Sequence, residues 1–305
     1  MNAQSQSEEI AFDRSLPARP GELVRLSPLV RRMIAGNAGP MTFTGTCTYV
    51  VGNGPVAIID PGPDDPAHIS ALLEVLGDET IAAILVTHTH RDHSPGARLL
   101  KQASGAKIIG CAPHRPSQEA GFGRLDAAHD RDHAPDAIMS EGDSIETAEF
   151  ALTCVETPGH AANHLAFALA QEDALFSGDH VMAWSTTVVA PPDGAMRDYM
   201  NSLEKLRLRN DKIYWPGHGG PVVAPQRYVR ALAQHRRARE AAILSRIAAG
   251  DSSIDAIVAH IYEGLNPALR VAAALSVLAH LEGLVARGQV AAEGPATLEA
   301  VYRPA

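Results

Sequence analysis

Four potential metal ligands lie within residues 88–93, whose sequence is HTHRDH. The segment directly follows an apolar run, IAAILVT, that predicts a buried strand. Because side chains alternate along an extended chain, His88 and His90 project to the same side where that strand ends. Asp92 and His93 belong to the turn that opens the next helix. This group of imidazoles and a carboxylate is able to serve two metal ions held a few ångströms apart.

Three further candidate ligands each follow an apolar segment and lie beside a glycine. They are His160 in TPGH, Asp179 in FSGD and His218 in WPGHG. Glycine has no Cβ, so these loops can approach one another closely around an ion. A single PGH sequence usually marks only a turn. Because the same setting recurs three times, the pattern favours a metal site over chance histidines in polar loops.

The elements that must position these residues alternate between strands and helices. Two strands between residues 41 and 60 are expected to form a hairpin around the sequence GNGP. A helix over residues 66–76, a strand over 81–87, a helix in PGARLLKQASG and a strand in AKIIGCA follow. The apolar stretches EFALTCVET, HLAFALA and ALFSGD add further strands. This order predicts two sheets packed face to face with helices outside. Residues 112–140, rich in Pro, Gly and Asp, predict a long surface loop that covers the site.

The last eighty residues form a second region of different character. Helical periodicity extends over residues 226–249, 252–263 and 267–288, and a hairpin of GQVAAEG and ATLEAVYRP follows. This pattern predicts a winged-helix-like domain over 226–305, after a first domain over 1–225 whose core spans about 40–225.

The two regions differ in charge. Residues 1–224 carry 17 Lys and Arg against 28 Asp and Glu, whereas residues 225–305 carry 9 against 7. An acidic main domain repels nucleic acid at long range, although bound metal ions would offset part of that potential.

Composition limits the class of protein. The 305 residues are 46% hydrophobic and 20% charged, which is enough for a substantial core. The first twenty residues lack the apolar stretch of a signal peptide, and no run of eighteen uncharged apolar residues occurs. Cys47, Cys111 and Cys154 have no CxxC spacing, which disfavours a disulfide framework or a cysteine zinc site. We therefore expect a cytoplasmic protein with reduced thiols and no membrane partner.

Several other polar residues lack the setting of the seven candidates. Residues 129–133 (HDRDH) mimic a second metal cluster but follow no apolar strand, so we predict a solvated loop. His180 directly follows Asp179 and should point the opposite way, which predicts a supporting or structural role. Other side chains predicted to be ordinary polar or packed residues are His68, His114, His164, His235, His260 and His280. Trp184, Arg197 and Tyr199 follow Asp179 in the chain and stay open between substrate contact and a packing or surface role.

The sequence resembles the metallo-β-lactamase superfamily, whose HxHxDH motif matches residues 88–93 in full. The matching region spans roughly residues 40–225, and it implies an α/β fold, an αββα sandwich. The resemblance implies that one metal ion is bound by His88, His90 and His160, the other by Asp92, His93 and His218, and that Asp179 bridges both.

Within this superfamily the chain is similar to the β-lactamase-like protein 2 subgroup, which appends a mostly helical winged-helix-like domain. TGTCTYVVG and IDPGP match the opening of that subgroup, except that Cys47 stands where asparagine is usual. The run from residue 178 to 194, GDHVMAWSTTVVAPPDG, also resembles the subgroup and is expected to line the substrate cleft.

The implied activity is that of a binuclear zinc-dependent hydrolase, with Mn²⁺ and Fe²⁺ compatible with the same ligands. Metal ions lower the pKa of a bound water from about 15.7 toward about 7, so hydroxide becomes available as the nucleophile. Asp92 is the candidate catalytic residue, because its carboxylate can orient that nucleophile or carry its proton to the leaving group.

Three functions remain open. The first is hydrolysis of a small-molecule ester, thioester or lactone. The second is a single-strand-specific endoribonuclease, which the subgroup resemblance implies directly and which would make RNA a partner. The third is a non-enzymatic binding protein that acts through its C-terminal module. Antibiotic hydrolysis is disfavoured because a bridging aspartate such as Asp179 is not a feature of true metallo-β-lactamases. A diiron redox role is disfavoured because flavodiiron relatives have an acidic residue in place of His90.

Overall fold

The structure is a computed structural model that describes residues 10–17, 19–115 and 129–305. Within these ranges, one sheet has seven strands in chain order: β1 (Val24–Arg25), β2 (Val30–Ile34), β3 (Cys47–Val51), β4 (Pro55–Ile59), β5 (Thr80–Val86), β6 (Ile108–Gly110) and β7 (Ala137–Ile138). Neighbours from β1 to β4 are antiparallel, and neighbours from β4 to β7 are parallel.

The second sheet contains six strands within the same described ranges. Their spatial order is β13 (Val222–Val223), β12 (Ile213–Pro216), β11 (Ala174–Gly178), β10 (Leu165–Leu169), β9 (Ala151–Glu156) and β8 (Ser144–Glu146). β11 and β12 are parallel, and the other neighbours are antiparallel.

The central strands β4, β5, β10 and β11 are mainly apolar because both faces of each sheet are covered there. Between the sheets, Tyr49 of β3 contacts Phe176 of β11 edge-on, with ring centroids 5.1 Å apart. Side chains of the second sheet alternate between two cores: Phe176 packs between the sheets, whereas Leu175 packs on the opposite face beside Tyr199 and Leu203 of a covering helix.

In the described part of the chain, four helices cover the outer faces of the sheets. α1 (Pro66–Leu76) and α2 (Gly96–Ser104) pack on the first sheet, and α3 (Met196–Arg207) and the first half of α4 (Pro225–Ala248) pack on the second. α1 begins where the Asp65 carboxylate accepts hydrogen bonds from the backbone of Ala67 and His68, and α2 ends at Gly105, which has φ of +74°. The predicted αββα sandwich is therefore confirmed.

The C-terminal region has its own core. α5 (Ile254–Ile261) and α6 (Arg270–Ala286) precede an antiparallel hairpin of β14 (Val290–Ala292) and β15 (Tyr302–Pro304). α4 joins the two regions, since Val229 and Leu232 pack on the outer face of the second sheet and Ile243 and Ile247 pack in the C-terminal core. The prediction of three helices and a hairpin is confirmed, but the paired strands are shorter than expected.

Residues Pro267–Ala286 are the one helical segment of the described chain that is long and apolar enough to cross a membrane. Half of this segment is buried within the protein. Val277, Leu281 and Leu284 pack in the C-terminal core, which explains its composition without a lipid environment.

Candidate metal centre

All seven candidate ligands lie at one edge of the two sheets, where loops follow the strand ends. Residues 88–93 follow β5, His160 lies between β9 and β10, Asp179 directly follows β11, and His218 follows β12. The structure therefore brings together residues that are far apart in the chain.

One cluster consists of three imidazoles. His90 Nδ1 lies 3.0 Å from His88 Nε2 and 3.0 Å from His160 Nε2. In each contact two ring nitrogens face one another. His90 Nδ1 is common to both contacts and carries at most one proton, which can be donated to only one of the other two nitrogens. A cation between the three nitrogens would satisfy all of them.

The second cluster contains two imidazoles and two carboxylates. His93 Nε2 lies 3.2 Å from His218 Nε2, and Asp92 Oδ2 lies 3.0 Å from the same His218 nitrogen. Asp179 extends toward both clusters: its Oδ2 is 3.4 Å from His218 Nε2 and 3.7 Å from His160 Nε2. This position matches that of a residue shared between two ions.

The opposite ring nitrogens of three histidines are held by acceptors. Nδ1 of His93 donates to Asp60 Oδ2 over 2.9 Å, Nδ1 of His160 to the Val188 carbonyl over 2.7 Å, and Nδ1 of His218 to the Gly45 carbonyl over 3.3 Å. These hydrogen bonds orient each ring and direct Nε2 toward the clusters, as is usual for histidine metal ligands.

Asp60 is not among the sequence-based candidates, but it holds both Thr87, just before the 88–93 segment, and His93 at its end. Its Oδ1 accepts a hydrogen bond from the Thr87 amide over 2.8 Å, and its Oδ2 accepts from Thr87 Oγ1 over 2.8 Å. Because the Thr87 hydroxyl proton is used in this way, Thr87 Oγ1 accepts from His88 Nδ1, 2.9 Å away. The sequence signal for this role is an aspartate placed directly after the apolar strand β4. A carboxylate buried at such a position needs hydrogen-bond donors.

His164, predicted to be an ordinary residue, supports Asp179. Its Nδ1 lies 2.8 Å from Thr157 Oγ1, and its Nε2 accepts a hydrogen bond from the Asp179 amide over 3.1 Å. His180 is fully buried outside both clusters and packs against the Tyr199 ring at 4.5 Å, in agreement with the predicted structural role. Burial lowers the pKa of His180 to about 3, so this side chain is neutral.

Electrostatics at the second cluster favour positive charge. Burial alone would lower the pKa of His218, but the carboxylates of Asp179 and Asp92 raise it to about 9. Burial alone would likewise raise the pKa of Asp92, but His93 and His218 hold it well below its usual value. These carboxylates are therefore anionic and, in the absence of a cation, retain a proton on His218.

The residues fit a pair of divalent cations on three grounds. Asp179 Oδ1 is buried and has no hydrogen-bond partner, so it is available as a ligand atom. The facing imidazole nitrogens of the first cluster lack enough protons to pair with one another. The donor set contains nitrogen and oxygen but no thiolate, which suits Zn²⁺, Mn²⁺ or Fe²⁺.

The prediction of a solvated loop at residues 129–133 is wrong. His129, Asp130 and His133 are buried, and Asp130 forms two hydrogen bonds with Arg98 over 2.7 and 2.8 Å. The His129 ring lies 4.8 Å from that of His90, and His90, His129 and Asp193 form a third group within ligand distance. The segment is buried because an isolated bridge pairs His129 with His90, a long-range contact that local polarity does not reveal. Residues 116–128 of the predicted covering loop lie outside the described residues.

Other residues set aside from the sequence have structural positions. Tyr199 is buried and donates to the His180 carbonyl, and Arg197 forms an exposed ion pair with Asp198. Trp184 stacks on Phe43 at 5.0 Å. Cys47 packs beside the His218 loop, where its amide donates to the Gly217 carbonyl over 2.8 Å.

A cleft of about 630 Å³ opens over the clusters. His90, Asp92, His160 and Asp179 form its polar base. Residues 188 and 190–193 line one side, as predicted for the 178–194 run. A small organic substrate can therefore reach the clusters directly.

Residues 41–218 match the model of the metallo-beta-lactamase superfamily, and residues 253–296 match that of a beta-lactamase associated winged helix domain. The chain is 32% identical over 294 residues to a beta-lactamase-like protein 2 homolog from Drosophila melanogaster, covering 92% of this chain and 97% of that one. It is 31% identical over 238 residues to an atrochrysone carboxyl ACP thioesterase from Aspergillus fumigatus, covering 76% and 68%.

The fold is similar to the solved structure of a metallo-beta-lactamase family protein from Thermus thermophilus. The TM-score is 0.73 at 24% identity, and the alignment covers 92% of this chain and all of that one.

Gly217 tests whether the two clusters need a close approach of loops. A Cβ at this position would lie 2.4 Å from Asp179 Oδ1 and 2.6 Å from His93 Cε1. Gly217→Ala should therefore displace both side chains and reduce bound metal after dialysis by at least about half, measured by elemental analysis. Gly220→Ala is the matched control, because its Cβ would meet only Asp13 Oδ2 at 3.8 Å. Equal metal content in the two variants would refute the steric argument.

The raised pKa of His218 predicts that metal affinity depends on pH. Below about pH 9 a cation must displace the His218 proton, and the carboxylates of Asp92 and Asp179 also raise the pKa of His93 well above its usual value. The association constant should therefore fall about tenfold for each unit by which the pH is lowered, for each proton displaced. Above about pH 9 the contribution of His218 to the pH dependence of metal affinity should level off. Competition with a chromophoric chelator between pH 7 and 9.5 measures this slope, and an affinity that is constant across the range would contradict it.

Proposed function

Because this chain belongs to the metallo-β-lactamase superfamily, we propose that it is a binuclear zinc enzyme that hydrolyses small thioesters, with esters and lactones as related substrates. That it is a metal-dependent hydrolase follows from its family and from its thioesterase-named relatives. The observation that carries the proposal is the convergence of seven nitrogen and oxygen ligands at the base of an open cleft.

In this proposal each ion has its own ligands. His88, His90 and His160 would hold one, Asp92, His93 and His218 would hold the other, and Asp179 would be shared. Two such cations would make a bound water acidic and would polarise the carbonyl that it attacks. Four of the five histidine rings, those of His88, His93, His160 and His218, are already oriented through their opposite nitrogens, so little reorganisation of the ligands would accompany reaction.

Asp92 is the proposed catalytic residue. Its side chain is 27% exposed, compared with 9% for Asp179, and it lines the cleft. Its low pKa keeps it anionic at neutral pH. Because it lines the cleft, the carboxylate can accept a hydrogen bond that orients the attacking water, and it is placed to carry the proton of that water toward the leaving group. The deeper Asp179 is placed to hold both ions and is less accessible to substrate.

A thioester is favoured over a phosphodiester for two reasons. Two relatives, from Aspergillus fumigatus and Emericella nidulans, carry the name thioesterase. The catalytic region is acidic, with 17 Lys and Arg against 28 Asp and Glu over residues 1–224, which disfavours a polyanionic substrate. Both arguments concern substrate class, and neither depends on the identity of the metal.

A substrate panel tests this choice. With zinc-reconstituted protein, kcat/KM for an acyl N-acetylcysteamine thioester should exceed that for a phosphodiester by at least about 100-fold, since the cleft accommodates an acyl group beside the clusters. The panel also includes a matched oxygen ester, a lactone and single-stranded RNA. Preferential cleavage of RNA, with binding that weakens steeply as salt is added, would establish the endoribonuclease alternative instead.

Variants of the two aspartates separate metal binding from proton transfer. Asp179→Ala should lose metal and reduce turnover by at least about 100-fold, because one shared ligand is removed. Asp92→Asn, compared with the wild type at equal bound zinc because Asp92 is also a proposed ligand, should reduce kcat by about 10² to 10⁴, the range typical of a lost acid-base group. His260→Ala, exposed in the C-terminal region, is the control. Near-normal turnover of Asp179→Ala with verified metal content would rule out the proposed site.

A further inference from the structure

One face of the C-terminal region that borders the cleft carries only apolar side chains. Ala268, Val271, Ala272 and Leu275 all line the cleft. Val271, Ala272 and Leu275 share one face at the start of α6, and Ala268 lies in the short 3₁₀ turn Pro267–Leu269 that leads into this helix. The C-terminal region therefore supplies part of the wall around the metal clusters.

Apolar side chains also face the cleft from the catalytic region. Met41, Val188, Ala190 and the Pro191–Pro192 pair line it together with α6. Two of the large apolar side chains remain in contact with water, since Val271 is 66% exposed and Met41 is 49% exposed. Apolar surface left exposed beside a group of converging polar residues is typical of a ligand site.

The charged residues of the cleft lie elsewhere. Arg91, Asp92, Arg115 and Asp193 line it from loops of the catalytic region, and α6 contributes no charged side chain to the lining. The cleft is thus divided into a polar base and an apolar side.

We infer that this apolar side is an acyl-binding subsite and that α6 selects substrates with a long, apolar acyl group. The inference rests on the proposed thioester hydrolysis. The occupant follows from continuity with the clusters. A thioester carbonyl placed at His90, Asp92 and Asp179 has an acyl chain on one side and a leaving group on the other. One of them would lie along Val271, Ala272 and Leu275, and the other along the charged loops. Apolar contacts suit only the acyl chain, and a volume of about 630 Å³ accommodates a small-molecule ligand.

The subsite predicts a dependence on acyl length. Each methylene buried against the apolar side should improve kcat/KM by up to about fourfold, as expected for its transfer from water. A series of saturated acyl N-acetylcysteamine thioesters from acetyl to decanoyl, with the full-length zinc-loaded protein, measures this slope. Val271→Gln should reduce the decanoyl-to-acetyl ratio of kcat/KM by about tenfold, because a polar side chain then faces the chain.

Val75→Gln is the matched control, since Val75 is an exposed valine of α1 that does not line the cleft. This control should keep the wild-type ratio, and thermal unfolding of both variants checks that the fold is retained. Equal length dependence in Val271→Gln and the wild type would overturn the inference.

A binding measurement separates this inference from the proposed reaction. S-alkyl N-acetylcysteamine thioethers lack the thioester carbonyl, so their carbon–sulfur bond cannot be hydrolysed. Calorimetry therefore reports their Kd without turnover. Kd should fall with alkyl length in the wild type and in Val75→Gln, and much less in Val271→Gln. Length-dependent binding without thioester hydrolysis would retain the subsite and reject the proposed function. Thioester hydrolysis without any dependence on chain length would retain the proposed function and reject the subsite.

Discussion

The structure depends on one electrostatic constraint: imidazole nitrogens and carboxylates of seven side chains face one another in a largely buried site. Without a cation, the first cluster lacks protons to pair its nitrogens, and the second keeps a proton on His218, whose pKa is about 9. Such an arrangement is costly unless positive charge occupies it. Asp60 and Thr87 hold the rings of His88 and His93 in place, so the fold maintains this arrangement.

The sequence predicts the parts of this site that are encoded locally. The HTHRDH segment follows a strand whose period places its histidines on one side, and α1 occupies the residues expected of it. Asp60, His164 and the buried 129–133 segment were not predicted, because their roles arise from contacts between distant parts of the chain. α3 was missed as well, since its buried residues, such as Tyr199, are interspersed with charged ones.

The C-terminal region lines part of the cleft as well as having a core of its own. α4 is shared between the two cores, and α6 faces both its own core and the cleft. The apolar residues of α6 therefore fall into two groups. Leu281 and Leu284 stabilise the C-terminal core, whereas Val271 and Ala272 border the space beside the clusters. If both proposals hold, hydrolytic chemistry and acyl selection lie in different parts of the chain.

We propose that these seven side chains hold two ions at adjacent positions. Anomalous diffraction at the zinc edge from crystals of zinc-reconstituted protein tests this most directly. Two peaks are expected, one among His88, His90 and His160 and one among Asp92, His93 and His218, with Asp179 next to both. A single peak, or zinc bound away from these residues, would contradict it.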